Sequence, residues 1–544
     1  MTTQAEAPHR PPATQGRESF WYLVHAEWTK FRTVRGWVIA VLVTIAGIIA
    51  FAFLGADVSG GCSATGGTSS GTGSTSSGAG GTSSGTGSTS SGAGGAAACA
   101  AQPIGPGGVP VIDAFYFAHQ PVTGNGTITV QVASLTGQVT AAPAGSELDE
   151  PQIGSGLQPW SKAGIIIKEN TSQGSAYAAM MVTGSHGVRM QWDYVNDTPG
   201  LTGSVSAPRW LRLVRDGTAV TGYDSADGTH WTLVGAANLP GLTGTVQAGL
   251  FAAGSSVNGD FGAMATGTFR NIGLSWPAPG WTGTTVGGSA AFGPGQDGTL
   301  RQGAGTLTVA GYGDIAPAAG NAYGGSGLTL QRALIGTFFG LIPLLVVAAM
   351  FVTAEYRRGL IRVSLTAAPR RGRLLAAKAV VTGAVGFAAG LVAAVLALAV
   401  GTHLLRRGGS LEWPVSLPAE ARMAVGTGAL LAAAAVLALA IGVIAARSAP
   451  AITTAIVVMI VPYLFALGPL AGANGEAPRW PLLFTPAAAL SVQQALPRFP
   501  QLIAVYNPSE GYYPLAPWAG LAVECGWAAA ALALAYFLLR RRDA

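Results

Sequence analysis

The residues best suited to chemistry lie in one short basic segment, TAEYRRGLIRVSLTAAPRRGRLLAAKA at 353–379. Glu355 and Arg357 come where an apolar stretch ends, Gly359 permits a bend, and Pro369 stops any helix that would follow. The segment holds seven Lys and Arg side chains, which can bind anionic lipid headgroups or an acidic protein surface. The simpler interpretation is that these charges only set the orientation of a membrane protein.

A second candidate is Glu524, an acidic residue inside the apolar stretch 516–539. An ionisable side chain within a membrane segment is costly to bury, so it often marks a transport pathway or a proton relay. The alternative is that Glu524 reaches the outer interface or pairs with a polar neighbour. The sequence leaves both interpretations open.

No pattern in the chain predicts catalysis or a bound metal. The three cysteines and six histidines lack zinc-ligand spacing. The acidic residues of the middle segment occur singly in turn contexts, unlike the paired carboxylates of glycosidases. No G-x-x-x-x-G-K-S/T phosphate loop occurs, so any ATP and magnesium must be bound by another chain. We predict no catalytic residue, no metal site and no cofactor in this chain.

The composition places much of the protein in a lipid bilayer. Of 544 residues, 49% are hydrophobic and only 10% are charged, whereas soluble domains carry roughly 25% charged residues. Six stretches reach the roughly 20 apolar residues that a spanning helix needs, namely 37–54, 333–354, 379–405, 423–446, 451–470 and 516–539. The first stretch is not a typical signal peptide, because it begins after more than 30 residues and no distinct cleavage site follows it.

The distribution of Lys and Arg predicts the orientation of these spans. Fifteen such residues flank the spans on the side of the N-terminus, against five in the short loops of the opposite side. Positive residues favour the cytoplasm, so we predict a multi-pass plasma-membrane protein with both termini inside and residues 55–332 outside. Because the charges lie beside apolar spans, the net charge of +6 does not indicate nucleic acid.

A helix is predicted immediately before the first span, within residues 19–35. Apolar side chains recur there at helical spacing, with Glu27, Lys30 and Arg35 elsewhere on the helix. This pattern favours an amphipathic helix in the inner membrane interface. The alternative is a simple extension of the first span, and residues 1–18 are expected to be a disordered cytoplasmic tail.

The outer segment begins with a low-complexity tract at 55–108, in which the sequence GGTSSGTGSTSSGA occurs twice without change. Such a tract buries no core and behaves as a flexible linker. Cys62 and Cys99 bracket it, and outside the cell they can form a disulfide. The alternative is two unpaired thiols.

Residues 109–275 have the pattern of an all-β domain. Short alternating runs such as GTITVQVASL and TVQAGLFAAG are separated by turn signals, among them two Asp-Gly pairs at hairpin positions. Many short antiparallel strands in a segment of this size predict a two-sheet sandwich or jelly roll. The Gly-rich segment 276–332 either completes this sandwich or forms a second linker.

The β segment resembles the concanavalin/laminin-G-like jelly-roll domains of secreted bacterial proteins, through the runs WSKAGIIIKENTSQGSAYAAMMV and PRWLRLVRDGTAVTGYDSADGTHWTLVG. Domains of that superfamily often bind carbohydrate, so the resemblance implies a glycan or cell-wall ligand. The aromatic residues that can stack on a sugar ring are Trp160, Trp192, Tyr194, Tyr223 and Trp231. For each of them the alternative is a place in the core of the sandwich or at its edges.

The remaining segments, 19–54 and 333–544, resemble the membrane subunits of actinobacterial ABC exporters, known as type-two ABC transporter permeases. The resemblance rests on HAEWTKFRTVRGW before the first span, EYRRG and LTAAPRRGR between the second and third, and the RRRD ending. It implies six spans, an interfacial elbow helix, and a cytoplasmic loop at 354–378 that docks on a separate ATPase. Residues carried over to this coupling element are Glu355, Arg357, Gly359 and Arg362.

The same resemblance implies a working exporter of two permease chains, as a homodimer or a heterodimer, and two ATPase subunits that bind ATP and magnesium. The chain departs from the pattern at Leu360, where many relatives have threonine. The predicted fold class is therefore a helical polytopic membrane bundle of six spans with an extracytoplasmic all-β insertion. The leading hypothesis for function is an exporter permease, and the alternative is a membrane-anchored carbohydrate-binding or surface-sensing protein.

Overall fold

The structure is a computed structural model, and it describes the helical and β-rich parts of the chain with several gaps. The described residues are 20–57, 103–141, 152–200, 208–255, 263–277, 280–287, 297–303, 305–319, 329–358, 370–407, 412–467, 479–502, 508 and 511–541.

Six helices of the described chain are long and apolar enough to cross a membrane, which confirms the predicted number of spans. In chain order the helices are α1 (Phe20–Thr33), α2 (Arg35–Asp57), α3 (Gly336–Arg357), α4 (Arg371–Arg407), α5 (Leu417–Ala445), α6 (Ser448–Ala466), α7 (Pro481–Phe484) and α8 (Pro517–Arg541). The six spanning helices are all of these except α1 and the four-residue α7. A break at Val34 separates α1 from α2, so α1 is a helix of its own rather than a continuous extension of the first span.

Small residues let the spanning helices pack closely. A Cβ atom added to Gly386 of α4 would lie 2.7 Å from the carbonyl oxygen of Leu431 on α5, and one added to Gly442 of α5 would lie 3.0 Å from that of Ala349 on α3. In a bilayer, helices associate by such close packing because lipid tails are as apolar as the helix surfaces. The glycines are thus part of the helix contacts.

The bundle has two chemically different ends. Arg357, Arg371, Arg447 and Arg541 all lie where helices end or begin at one of them, which we call the basic end. At the opposite end lie two 3₁₀ segments, Leu330–Leu334 and Pro486–Gln493.

The segment Pro486–Gln493 is buried along its whole length. Its Gln493 Nε2 donates hydrogen bonds to Thr337 Oγ1 of α3 at 2.9 Å and to Thr427 Oγ1 of α5 at 3.0 Å. This non-helical segment is therefore fixed between the spans by polar contacts.

The β region consists of antiparallel strands in two large sheets and one small ribbon. The strands are β1 (Val111–Asp113), β2 (Phe115–Thr123), β3 (Gly126–Ala141), β4 (Gln152–Ser155), β5 (Lys162–Lys168), β6 (Tyr177–Thr183), β7 (Val188–Trp192), β8 (Asn196–Pro199), β9 (Arg209–Asp216), β10 (Ala219–Ser225), β11 (Thr232–Asn238), β12 (Thr245–Ala253), β13 (Met264–Leu274), β14 (Thr282–Val286), β15 (Thr299–Gly303), β16 (Thr306–Tyr312) and β17 (Ile315–Pro317).

One sheet has the strand order β11-β10-β9-β3-β13-β16-β15, with β4 paired to β3, and the other has the order β14-β2-β12-β5-β6-β7-β8. Their facing side chains form one continuous apolar core, which includes Val130, Ile165, Leu213 and Leu250. The fold class is therefore as predicted, a helical membrane bundle with a large β insertion.

The sandwich does not end at residue 275. Three strands within 282–317 pair with strands of the earlier segment: β14 with β2, β16 with β13 and β17 with β1, while β15 pairs with β16. The described strands of 276–332 therefore complete the sheets rather than form a second linker. The domain boundary predicted at 275 comes too early.

A second apolar layer covers the outer face of the sheet that contains β5 and β6. Phe115, Phe117, Tyr177 and Phe251 belong to this layer, and the ribbon of β1 and β17 packs over it through Val111 and Ile315. Strands β5 and β6 are consequently buried on both faces. This double burial explains why their sequences are continuous apolar runs rather than alternating ones.

The ribbon of β1 and β17 also packs against the helical bundle. Ile112 and Ala316 of the ribbon share a buried apolar cluster with Trp413 and Phe499, which belong to loops at the end opposite the basic end. Buried Gln501 Nε2 donates a hydrogen bond to the backbone oxygen of Tyr194 at 3.1 Å. We call this end the sandwich end.

Candidate functional site

The most unusual arrangement in the membrane region is a buried cluster of charges at the basic end. Lys378 Nζ lies 2.7 Å from Glu27 Oε2 and 2.8 Å from Glu355 Oε1. Both Lys378 and Glu27 are 2% exposed, and Glu355 is also buried. The cluster joins three helices, because these residues belong to α4, α1 and α3 respectively.

Local sequence explains how each side chain enters the cluster. Glu27 lies on the same stripe of α1 as Phe31, which packs edge-on against Phe351 of α3 with ring centroids 5.6 Å apart. Glu355 follows one turn after Phe351, and the Lys378 ammonium lies 4.6 Å from the centre of the Phe351 ring. Aromatic packing thus brings α1 against the bundle, and the ring contributes a cation–π contact.

Lys30 completes the cluster from its solvent side. Its Nζ lies 2.6 Å from Glu27 Oε1 and 3.3 Å from Glu355 Oε1. Partial burial acts to lower the pKa of Lys30, but hydrogen bonding and attraction to Glu27 and Glu355 raise it overall. Two cations therefore face two carboxylates, which is the condition under which buried charges are tolerated.

This arrangement can couple the positions of three helix ends. Residues 359–369 connect the end of α3 to the start of α4, and the cluster ties both of these helices to α1. A movement of the end of α3 or of α4 away from α1 would separate buried opposite charges, which is costly. Within the described residues, Glu355 Oε2 has no hydrogen-bond partner, so this carboxylate has capacity for another donor.

The predicted coupling residues occupy different surroundings. Glu355 lies in the buried cluster, whereas Arg357, two residues later, is exposed at the end of α3. Gly359 and Arg362 lie outside the described residues. Sequence reasoning did not name Glu27 as a site residue, and it counted Lys378 only among the seven basic side chains of the segment 353–379.

The placement of Glu27 away from the apolar face of its helix was wrong. Phe20, Val24, Glu27 and Phe31 recur at the spacing of one helical stripe, and Glu27 and Phe31 are both buried. An acidic residue within an apolar stripe was the signal that could have identified it.

Glu524 is enclosed by the bundle. It lies in α8 and is fully buried, and neither of its carboxyl oxygens has a hydrogen-bond partner among the described residues. One turn earlier, Gly520 is so close to the Pro486–Gln493 segment that an added Cβ would lie 2.1 Å from the backbone oxygen of Ala488. The described geometry therefore brings no polar partner to Glu524, and its functional role stays a prediction.

Two of the five aromatic candidates of the β region offer no free ring face. Trp160 is 3% exposed and stacks on His186 with ring centroids 3.9 Å apart. Tyr194 is 1% exposed, and its hydroxyl donates to Asp113 Oδ2 at 2.6 Å. Lys168 Nζ lies 2.7 Å from the same oxygen. Both rings thus belong to the packed interior.

The other three aromatic residues are half-buried. Tyr223 is the cross-strand neighbour of Arg212, and the Arg212 guanidinium lies 3.8 Å from the centre of the Trp231 ring. Trp192 packs at the margin of the main core. Tyr223 and Trp231 therefore flank one arginine, while Trp192 lies on the other sheet.

The structure does not test the predicted disulfide, and it bears on metal binding only within the described residues. Cys62 and Cys99 lie outside the described residues, so the disulfide stays a prediction. Cys525 is a free, exposed thiol. The part of the chain that the structure describes contains no group of three or more His, Cys, Asp and Glu side chains that could hold a metal ion.

Comparison with solved structures gives only weak matches. A mutant of the GH43 protein BlXynB from Bacillus licheniformis matches with 14% identity and a TM-score of 0.15, over 24% of this chain and 24% of that chain. A Scytalido-glutamic peptidase matches with 8% identity and a TM-score of 0.24, over 37% of this chain and 99% of that one. A functionally unknown protein from Saccharomyces cerevisiae matches with 15% identity and a TM-score of 0.16, over 29% and 74%. These scores carry no argument about fold or activity.

Comparison with curated proteins finds no match. The family model described as ABC-2 family transporter protein matches residues 21–544, which include the helices of the bundle, the charge cluster and the β insertion. Six apolar helices and a helix that precedes the first span agree with a membrane subunit of a transporter. The chain therefore belongs to the ABC-2 family of transporter proteins.

Proposed function

We propose that this chain is the membrane permease subunit of an ABC-type exporter, driven by a separate ATPase chain that binds ATP and magnesium. The permease would alternate between inward-open and outward-open states as the ATPase binds and hydrolyses ATP. The transported substrate is left unassigned.

The observation that supports this proposal best is the buried Glu27–Lys378–Glu355 cluster. It links the helix before the first span to the two helices that border residues 359–369. A segment that receives force from a motor protein must transmit it into the bundle as a unit. Because the opposite charges are buried, moving one of these helices relative to the others would separate them at a large energetic cost.

We infer the orientation of the chain in the membrane from the charges at the basic end of the bundle. Arginines are concentrated at the basic end, and positive residues favour the cytoplasm. We therefore place the basic end and both termini in the cytoplasm and the β region outside the cell. The exposed apolar surfaces of α2 and α8, including Leu42, Val43 and Trp527, would face lipid or a second permease chain.

The experiment is co-purification of the tagged full chain from its native membrane, followed by ATP hydrolysis assays on the recovered complex. We expect a soluble ATPase to co-purify, and Glu355→Gln to change the rate of ATP hydrolysis by the recovered complex. The matched control is Glu420→Gln, in the first turn of α5 at the sandwich end. A stable, monodisperse particle without any ATPase would refute the proposal.

A structural role of Glu355 must be separated from a coupling role. Thermal stability of each variant is therefore measured beside hydrolysis. If Glu355→Gln only lowers stability, and the folded fraction hydrolyses ATP at the rate of the unmodified complex, the residue is structural and the coupling role fails.

We further propose that the β region is a lectin-like domain held on the outer face of the permease. The support is the buried seat formed by Ile112, Trp413 and Phe499, together with the neighbouring half-buried rings of Tyr223 and Trp231. A glycan array with the full chain in nanodiscs tests ligand binding. Binding that is lost on Trp231→Ala but kept on Trp160→Phe supports a sugar site at the half-buried rings, and no binding to any glycan refutes it.

A further inference from the structure

A lysine and an aspartate are buried together where the ribbon of β1 and β17 packs on the sheet of β5. Lys168 is the last residue of β5 and Asp113 the last residue of β1, and they are 0% and 1% exposed. Lys168 Nζ lies 2.7 Å from Asp113 Oδ2. The rings of Tyr177 and Tyr194 lie 5.9 Å and 5.7 Å from the same nitrogen. The side-chain nitrogen is therefore held beside a carboxyl group in a site closed to bulk solvent.

The two oxygens of this carboxyl group have different surroundings. Oδ2 accepts hydrogen bonds from the Tyr194 hydroxyl at 2.6 Å and from the Gly174 N–H at 2.8 Å, in addition to its contact with Lys168. Oδ1 is also buried, and it has no hydrogen-bond partner among the described residues. Two uncharged donors therefore converge on one oxygen, which is the geometry that stabilises negative charge in an oxyanion hole.

The backbone around both donors has uncommon conformations. Asp193 and Tyr194 have φ values of 46° and 66°, in a left-handed region where a bulky residue such as tyrosine is rarely found. Gly174 has a φ of 80°, and a Cβ atom added to it would lie 2.2 Å from the backbone oxygen of Ile104. Such conformations persist where surrounding contacts hold them, and they are concentrated at functional sites. The two donors are thus fixed against Asp113 by the fold.

Burial also favours the uncharged forms of the groups in this site. It lowers the pKa of Lys168, against the opposing attraction of Asp113. Burial, together with the negative charge of Asp113, raises the pKa of the Tyr194 hydroxyl well above its usual value, so Tyr194 keeps its proton and remains a donor. Transfer of one proton from Lys168 to Asp113 removes both buried charges. It leaves an amine, which is a nucleophile, next to a carboxylic acid.

We propose that Lys168 and Asp113 form an intramolecular isopeptide bond. After the proton transfer, Lys168 Nζ attacks Asp113 Cγ, which is one bond from the oxygen that it already contacts. The negative charge that develops on Oδ2 is stabilised by the Tyr194 hydroxyl and the Gly174 N–H. The bond from Cγ to Oδ1 then breaks, and Oδ1 leaves as water with two protons that both came from the ammonium group. The amide nitrogen keeps the third proton, so the step needs no co-reactant.

This bond would join the ribbon covalently to the sandwich. β5 is the middle strand of its sheet, and β1 carries Ile112 into the apolar cluster with Trp413 and Phe499. Force transmitted between the β region and the bundle through this cluster therefore passes along β1. An ion pair can separate under such force, whereas an amide bond does not. The isopeptide bond would thus keep β1 on the sheet while the bundle moves.

The first test is the intact mass of the unmodified full chain, purified in detergent, reduced, denatured and measured by mass spectrometry. We expect a mass lower by one water molecule than the sequence requires. Protease digestion and tandem mass spectrometry then locate the change, and we expect a branched peptide that joins Asp113 to Lys168. A chain with the full sequence mass would overturn the proposal.

Two other results of the same measurement would also overturn it. One is a water loss located only at an Asp-Gly pair, because such a pair can form a succinimide with the same change in mass. The other is a branched peptide that joins only another buried pair, such as Lys162 and Asp314, whose Nζ and Oδ1 lie 2.6 Å apart.

Variants test the groups that would form the bond. Lys168→Arg keeps a cation at the site but cannot form this amide, so it should have the full sequence mass, and a retained water loss would contradict the proposal. Tyr194→Phe removes one donor to Asp113 Oδ2. The matched control is Tyr177→Phe, since the Tyr177 hydroxyl has no hydrogen-bond partner among the described residues.

The two tyrosine variants are compared by the rate at which newly synthesised chains lose water. Loss of one oxyanion donor slows a reaction of this kind roughly 10²–10³-fold. We therefore expect Tyr194→Phe to form the bond more slowly by that factor, and Tyr177→Phe to form it at the rate of the unmodified chain. Equal rates in the two variants would overturn the mechanism proposed for Tyr194.

Discussion

The Lys378 ammonium lies 2.7 Å from Glu27 Oε2, although the two residues are 351 positions apart in the chain. Lys378 is also within hydrogen-bond distance of Glu355, so one buried cation serves two carboxylates from two other helices. The helix before the first span is therefore attached to the bundle by charge as well as by the aromatic contact of Phe31 with Phe351.

Replacing the cation of this cluster should destabilise the bundle strongly. Lys378→Met leaves Glu27 and Glu355 buried with only the half-exposed Lys30 as a partner. Breaking a buried pair in this way typically costs about 3–5 kcal/mol. The loss is measured by thermal unfolding of the detergent-solubilised chain.

The control for this prediction is Lys30→Met, whose ammonium lies on the solvent side of the same cluster. We expect a much smaller loss, since exposed ion pairs contribute about 1 kcal/mol or less. Equal destabilisation by the two variants would contradict the distinction between the buried and the exposed cation.

Removing the two aromatic rings that pack against the β region should weaken its attachment to the bundle without unfolding the bundle. Trp413 and Phe499 are buried with ring centroids 5.3 Å apart, and they pack on Ile112 and Ala316. For Trp413→Ala/Phe499→Ala we expect faster amide hydrogen exchange at 112–113 and 315–319. Phe484→Ala, at a 71% exposed residue that is not part of this cluster, should change nothing. Unaltered exchange in the double variant would show that this cluster does not hold the β region.

Glu524→Gln should fold at least as well as the unmodified chain. The described surroundings offer no hydrogen-bond partner to either carboxyl oxygen, and a charge without a partner at membrane depth is costly. Glutamine has nearly the same shape without the charge. Thermal stability of the detergent-solubilised chain tests this directly. A large loss of stability would mean that a cation outside the described residues holds Glu524.

A surface turn of the β region should show a pH-dependent ion pair. His230 Nδ1 lies 2.6 Å from Asp227 Oδ2. The hydrogen bond and charge of Asp227 raise the pKa of His230, and the hydrogen bond from His230 lowers the pKa of Asp227. The pair is therefore fully formed between the ordinary pKa values of Asp and His, roughly 4 to 6.5. It is lost when the pH rises through the raised pKa of His230 or falls through the lowered pKa of Asp227.

The measurement is the rate of diethyl pyrocarbonate modification of His230 against pH, read by peptide mass spectrometry, because only the neutral ring reacts. Asp227→Asn should move the midpoint to lower pH, whereas Asp216→Asn, at an exposed residue of another turn, should not. An unchanged midpoint in Asp227→Asn would contradict the ion pair.

Local patterns in the sequence determined the six spans, the helical character of the segment before the first of them and the β character of the insertion. Each of these depends on hydropathy or alternation within a window of about 20 residues or fewer, so no knowledge of packing is needed. The runs of β5 and β6 do not alternate, because the apolar layer and the ribbon over their outer face bury both sides of these strands.

The tertiary structure alone decided which distant residues meet. It placed Glu27 on the buried side of α1, extended the sandwich to Pro317, packed Trp160 and Tyr194 into the interior, and seated the ribbon on Trp413 and Phe499. The residues next to a charged or aromatic side chain in the sequence do not show whether that side chain faces water or another part of the protein. Its role is fixed by which helix or strand packs against it, and that choice depends on contacts between residues hundreds of positions apart.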